Sequence, residues 1–486
     1  MLFNSFSFLV FFPIVFILYW VLNKNVRYQN ILLLIASYYF YSCWDWHFLF
    51  LLIFSTLLDF YSGKLIYQYK SNVVKQKRIL ILSIGINLGL LLVFKYNDFF
   101  INSFCDLLQN FGFKTNRYLL NIILPVGISF YTFHGLSYVI DVKKDKITPE
   151  YSFINYSLFV SFFPLLVAGP IERATHLLPQ IKSPRTPDYS KMVDGLRQVL
   201  WGLFKKIVVA DQISGYVNQI YDSPEQYSGA ILLMGTILFT VQIYGDFSGY
   251  SDIALGTARM MGFELLQNFS YPYFSRNLGE FWRRWHISLS SWFRDYVYFP
   301  LGGNRVGLGR KIFNVFVIFL VSGFWHGANW TYVFWGGVNA FFVLPSVLFK
   351  SKNKYDDIVA INSRFPTLKE FSQVSSTFLL VCLIFIIFRS PTISFGYDYF
   401  YSLFSDLFNK SSIIEAYNFV YWNLGFQIPI YILICFGVEW IGRRTKSPLS
   451  LLNNSKPIFN QLIYIFLVLL VLYYSGKENE FIYFQF

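Results

Sequence analysis

Residues 310–350 read RKIFNVFVIFLVSGFWHGANWTYVFWGGVNAFFVLPSVLFK. Two apolar runs stand between basic ends and meet at a turn around His326. A helix rises ~1.5 Å per residue, so the path from Lys311 to His326 carries the histidine about 22 Å away from the basic end. The hydrocarbon core is about 30 Å thick, so His326 lies beyond the midplane if Arg310 and Lys311 mark the cytoplasmic interface. The chain then returns to Lys350, Lys352 and Lys354. The spacing predicts a helical hairpin with both basic ends inside and His326 near its tip, on the extracytoplasmic half. Gly323, Gly327, Gly336 and Gly337 allow backbones or a ligand to approach closely.

The rest of the chain fits this reading. Of 486 residues, 55% are hydrophobic, 22% aromatic and 14% charged. A soluble protein is about 25% charged, so too few charges are present to coat a globule of this size. The aromatic content excludes disorder. Collagen, coiled coil and disulfide scaffold also fail on composition, which leaves a polytopic membrane protein. The net charge of +13 sits in short clusters between apolar runs, such as Lys75, Lys77 and Arg78, or Arg443, Arg444 and Lys446. That is the pattern of cytoplasmic loops, not a nucleic-acid stripe. Cys43, Cys105, Cys382 and Cys435 form no C-x-x-C pair, and neither a disulfide nor a metal site is expected.

Further apolar runs near spanning length occur at roughly 3–22, 30–44, 47–67, 79–94, 118–140, 153–170, 229–247, 328–349, 376–390, 419–440 and 459–474. The first run lacks a basic start and an A-x-A site, so it reads as a span with residue 1 outside rather than as a cleaved signal peptide. The basic loops 23–29, 68–78 and 141–152 fall on one side. No repeat or large polar segment appears, so a single integral-membrane domain over 1–486 is expected. Residues 192–213 and 281–300 read as amphipathic helices, with tilted spanning helices as the alternative. In the first, Lys205 and Lys206 fall off the apolar face. In the second, Trp282, Trp285, Leu289, Trp292 and Tyr296 form one stripe.

An ionisable group at membrane depth is costly and is a functional candidate by default. The chain has five histidines. His326 ranks first as a catalyst, with a buried, carbonyl-bonded histidine as the alternative. His286, beside the aromatic stripe, ranks second, because neutral imidazole serves as a base or hydrogen-bond partner. His134, His47 and His176 rank lower. No H-E-x-x-H or G-x-S-x-G pattern is present. Asp246 and Asp252 flank a segment that lacks the Gly and Glu of a calcium loop. They are expected to be buried carboxylates bonded to hydroxyls or Arg and shaping a cavity. The turn 301–310 is rich in Gly and Arg, and Arg305 there, with Arg283 and Arg284, is a candidate for holding donor phosphates. A positive-inside turn explains it equally well. Trp282, Trp325 and Asn329 complete the candidate substrate contacts.

Several blocks, in order, resemble the membrane-bound O-acyltransferase family, alginate O-acetyltransferase type. They are Leu124–Phe130, Phe163–Ile171, Gly202–Lys206, Gly245–Asp252, Phe281–Ser290, Pro300–Arg305, Gly323–Gly327 and Phe481–Phe486. The resemblance implies an all-α fold: a ring of about eleven or more transmembrane helices, with amphipathic or re-entrant helices, around a central tunnel. It implies that His326 is the signature catalytic histidine. It also implies that His286 is the second signature position, which is Asn in many eukaryotic relatives. The implied activity is transfer of acetyl from a cytoplasmic thioester, acetyl-CoA or another acyl thioester, with no permanently bound cofactor. The implied acceptor is an extracytoplasmic polysaccharide, alginate-like or a cell-wall glycan, reached through a periplasmic serine-hydrolase-like partner. The implied location is the bacterial cytoplasmic (inner) membrane. D-alanyl transfer to teichoic acid and a proton-coupled transporter are the alternatives.

Overall fold

The computed structural model describes residues 1–167, 169–348, 357–454, 457–476 and 481–482. Ala168, Lys350, Lys352, Lys354 and Tyr483 to Phe486, which the sequence reading used, lie outside the described residues. The described residues form helices, turns and loops, with no strand among them. Among the described residues seven helices are long and apolar enough to cross a membrane, or eight if one bent pair is a single span. The chain divides into two compact units.

Unit 1 holds residues 1–195 and 257–266. Its helices are α1 (Phe6–Val21), α2 (Val26–Ser42), α3 (His47–Gln68), α4 (Val73–Leu91), α5 (Asn97–Asn110), α6 (Ile128–Lys143), α7 (Phe153–Ser161), α8 (Phe163–Leu166) and α9 (Ala174–Lys182). A polar contact ties three of them. Asp59 on α3 accepts hydrogen bonds from Ser83 and Asn87 on α4, at 3.0 and 2.8 Å, while Gly135 on α6 leaves room for its carboxylate. Polar glue of this kind replaces the hydrophobic drive that helices lack in lipid. His134 and His176 also have structural partners. His134 Nε2 accepts the Glu172 N–H at 3.1 Å, and His176 Nδ1 lies 2.8 Å from Glu172, which holds that imidazole above its usual range.

Unit 2 holds residues 196–256 and 267–486. Helix α10 (Tyr189–Leu203) leads into it from unit 1. Its other helices are α11 (Asp211–Asp222), α12 (Gly229–Met260), α13 (Leu278–Arg284), α14 (Ile287–Phe293), α15 (Leu308–His326), α16 (Trp330–Leu348), α17 (Leu368–Arg389), α18 (Ile393–Asp406), α19 (Lys410–Phe419), α20 (Gln427–Gly442) and α21 (Pro457–Tyr474). The expected hairpin is α15 and α16. Helix α15 runs unbroken to His326. The two helices touch where side chains are missing: a Cβ at Gly323 would strike the Tyr332 carbonyl, and one at Gly336 the Phe319 carbonyl. At the open end, the Lys311 ammonium donates to the Val347 carbonyl at 3.0 Å.

Four expectations are corrected. The run 118–140 is not one helix: residues 113–125 are irregular, and α6 starts only after Gly127, whose φ is 74°. The run 153–170 breaks between α7 and α8 at Phe162, just before Pro164. The run 419–440 bends by 93° where Gly425 adopts φ 75°. The helix over 192–213 loosens into a wider π turn at Phe204–Ala210. That turn buries Lys205 and Lys206, which were expected off the apolar face. Hydropathy registers none of these breaks, because backbone torsion makes them.

Candidate active site

His326 is the last residue of α15, and the chain turns at Gly327, where a Cβ would strike the Tyr332 ring. The His326 ring stands edge-on to Trp335 of α16 at 5.3 Å and to Phe388 of α17 at 5.5 Å. Only 4% of His326 is exposed.

His286 comes from a different element. The expected helix over 281–300 is broken: α13 ends at Arg284, Trp285 is extended, His286 is left-handed at φ 44°, and α14 begins at Ile287. Left-handed backbone is costly for a residue with a Cβ and persists only where its surroundings hold it. Asn268 does so here. Its carbonyl accepts the Ile287 N–H at 2.8 Å, and its side-chain oxygen accepts the Ser288 hydroxyl at 2.6 Å. Its amide donates to Ser251 on α12 at 2.9 Å, which fixes the break to that helix. The aromatic stripe gave no sign of the break, and Asn268 sits in a loop without a motif. Replacing Asn268 by Ala is expected to cost about 1–3 kcal/mol, since two buried hydroxyls each lose one hydrogen-bond partner. Thermal unfolding in detergent, run beside an acyl-transfer assay per folded molecule, checks both the stability loss and a drop in rate.

The break brings the two imidazoles together, with ring centroids 6.5 Å apart. Trp325 has a ring contact with each, 5.9 Å from His286 and 5.0 Å from His326. Phe247 of α12 stands edge-on to His286 at 4.7 Å. Both His286 ring nitrogens are buried without a hydrogen bond among the described residues. Such apolar walls disfavour the imidazolium and leave an uncharged ring that can donate or accept one proton.

The other candidates lie at varied distance from this pair. Trp282 donates to Asn339 at 3.2 Å and meets Trp335 edge-on at 5.5 Å, one ring removed from His326. Asn329 donates to the Pro391 carbonyl at 2.9 Å. It lines a polar cavity with Asp222, Tyr332, Arg389 and Ser390. Tyr332 packs on Phe388, which packs on His326, so a layer of two rings separates that cavity from the catalytic candidate. Arg284 is engaged by Glu280 at 2.9 Å, while Arg283 and Arg305 are exposed. The structure gathers none of these three arginines against the histidines.

The two carboxylates pair with lysines, where hydroxyl or Arg partners were expected. Asp246 lies 2.7 Å from Lys206, which also reaches Asp211 at 2.8 Å. Asp252 lies 2.7 Å from Lys205, which donates to Ser248 at 2.8 Å. Burial works against both ammonium charges, yet the neighbouring carboxylates outweigh it and hold each lysine above its usual range. Asp252, Lys205 and Asn268 line a second polar cleft with Glu439 and Lys446. A Lys-Lys pair inside an apolar stretch was the signal for these ion pairs. Among the described residues no group of His, Cys, Asp or Glu is arranged to hold a metal ion.

Comparison with known proteins places this geometry. Residues 31–351 match the model of the membrane-bound O-acyltransferase family. The probable alginate O-acetylase AlgI of Pseudomonas aeruginosa is 35% identical over 94% of this chain and 86% of its own length. The peptidoglycan O-acetyltransferase of Helicobacter pylori is 36% identical over 69% of this chain and 68% of its own. The teichoic acid D-alanyltransferase of Bacillus subtilis is 28% identical over 55% of this chain and 69% of its own. With the family model covering most of the chain and a 35% identical relative matched over 94% of it, this protein belongs to the membrane-bound O-acyltransferase family.

Proposed function

We propose that this chain moves an acetyl group from a cytoplasmic thioester, acetyl-CoA, to a hydroxyl on the far side of the membrane. The final acceptor is a surface polysaccharide, reached through a periplasmic serine-hydrolase-like partner, and the membrane is the bacterial inner membrane. The observation that carries this reading is the pair of buried imidazoles, 6.5 Å apart, one at the tip of a membrane hairpin and the other at the break between α13 and α14. His326 takes the proton of the acceptor hydroxyl as its oxygen attacks the thioester carbonyl. The new C–O bond forms, the C–S bond breaks, and the leaving thiolate takes the proton back from His326. His286 donates a hydrogen bond to the carbonyl oxygen as negative charge gathers there.

The relatives that cover more of this chain carry acetylase names, which favours acetyl over D-alanyl. The acceptor approaches from the cavity at Asn329 and Arg389, which requires the Tyr332 and Phe388 rings to swing aside, and Trp325, in contact with both histidines, walls the acyl group. Inside-out membrane vesicles test donor and direction together. Acetyl-CoA labelled in its acetyl group, added to the outer medium, is expected to label material inside the lumen. Label that stays outside, or labelling that requires a D-alanyl carrier, overturns the reading.

A further inference from the structure

We propose that Phe481 and Ile482 are positioning residues: the segment is clamped to α12 by Asp246, and its ring backs Phe247 against His286. The proposal rests on the catalytic reading of His286 given above. Ile482 donates its N–H to Asp246 Oδ2 at 2.6 Å, and Asp246 is in turn held by Lys206 at 2.7 Å. Phe481 is fully enclosed, at 0% exposure, with its ring 4.6 Å from Tyr250 and 5.8 Å from Phe247. Asp246, Phe247 and Tyr250 belong to one turn of α12, so a single helical turn receives the clamp, the ring and the histidine.

The chain of contact matters because of what His286 lacks. Its ring has no hydrogen bond to set its angle among the described residues, and α13 and α14 are interrupted at that residue. Packing alone sets the ring, and Phe247 is the nearest aromatic wall, at 4.7 Å and 86°. Phe247 is walled by Phe269 at 4.9 Å and by Phe481 at 5.8 Å, so removing Phe481 takes away part of that wall, lets the ring shift and frees the imidazole to turn. A displacement near 1 Å in a reacting group costs up to about a hundredfold in rate.

The test uses the full chain as the sole O-acyltransferase of its host. The readout is alkali-released O-acetyl on the surface polymer, per inserted and monodisperse protein. Phe481→Ala is expected to lower transfer about tenfold, and Phe481→Leu, which refills most of the space, to keep a third or more. Ile482→Pro removes the N–H that Asp246 accepts, together with the buried Ile side chain and its backbone freedom, and is expected to fall at least as far as Phe481→Ala. It also decides the question if Phe481→Ala fails to insert. A merely structural role would multiply with any other loss. If Phe481 acts through the imidazole, Phe481→Ala adds less than twofold in a His286→Gly background, which keeps the left-handed backbone and removes the side chain. The proposal is overturned if Phe481→Ala and Ile482→Pro stay within twofold of the parent, or if the two losses multiply. If His286→Gly alone transfers like the parent, the catalytic reading of His286 fails first, independently of Phe481.

Discussion

Replacing His326 by Ala is expected to lower acyl transfer by about 10²–10⁴-fold, the range a positioned general base contributes. The side chain closes a helix and touches Trp335 and Phe388, so its loss removes the base while leaving the hairpin crossing at Gly323 and Gly336 intact. Insertion and thermal unfolding should therefore stay near those of the parent, which separates lost chemistry from lost fold. Polymer export should also persist. An intramembrane histidine serving a proton-coupled transporter would give the opposite pattern, with export lost alongside acetylation. Retained acetylation in the Ala variant would sink the catalytic assignment.

The largest loss of stability is expected at Lys206. Its ammonium lies within hydrogen-bond distance of Asp246 and Asp211, and all three side chains are nearly enclosed, at 1%, 4% and 6% exposure. Substituting Lys206 by Met strands two carboxylates in a low-dielectric setting, and breaking a buried pair from one side costs about 3–5 kcal/mol. Against a net stability of about 5–15 kcal/mol, that is enough to reduce the inserted population. The cost is that of uncompensated charge, not of lost packing, so it should be reversible. The triple change Lys206→Met, Asp211→Asn and Asp246→Asn is expected to recover most of the melting temperature. A Met variant that melts with the parent, or a triple variant no better than the single one, would show that the triad does not hold this region.

The hairpin was legible because charge is scarce. Two apolar runs flanked by Arg310, Lys311 and Lys350 allow few arrangements, and the glycines mark where the helices touch. The histidine pair was legible as the rarest chemistry at depth, and the family blocks pointed to the same two residues. What stayed hidden depends on backbone torsion or on distant pairing. Trp282, Trp285, Leu289 and Trp292 keep helical spacing across a break that periodicity does not encode. Likewise the π turn that buries Lys205 and Lys206 follows from carboxylates some 40 positions away (Asp246 and Asp252), and Asn268 acts from a loop without any pattern. The arginines chosen as donor contacts were read from charge alone, and Arg284 is already engaged by Glu280.

The left-handed backbone at His286 limits which amino acids the position can exchange. Residues with a Cβ enter that region rarely, and Asn, Asp and His are the side chains most enriched there. The resemblance gives Asn as the common alternative at this position, and Asn satisfies the torsion as well as the hydrogen-bonding chemistry. The permitted alphabet at 286 is therefore set by backbone geometry before catalysis is considered. A β-branched or bulky aliphatic replacement would strain the turn and remove the ring together. Gly keeps the turn and removes the side chain, whereas Asn keeps both the turn and a hydrogen-bond donor.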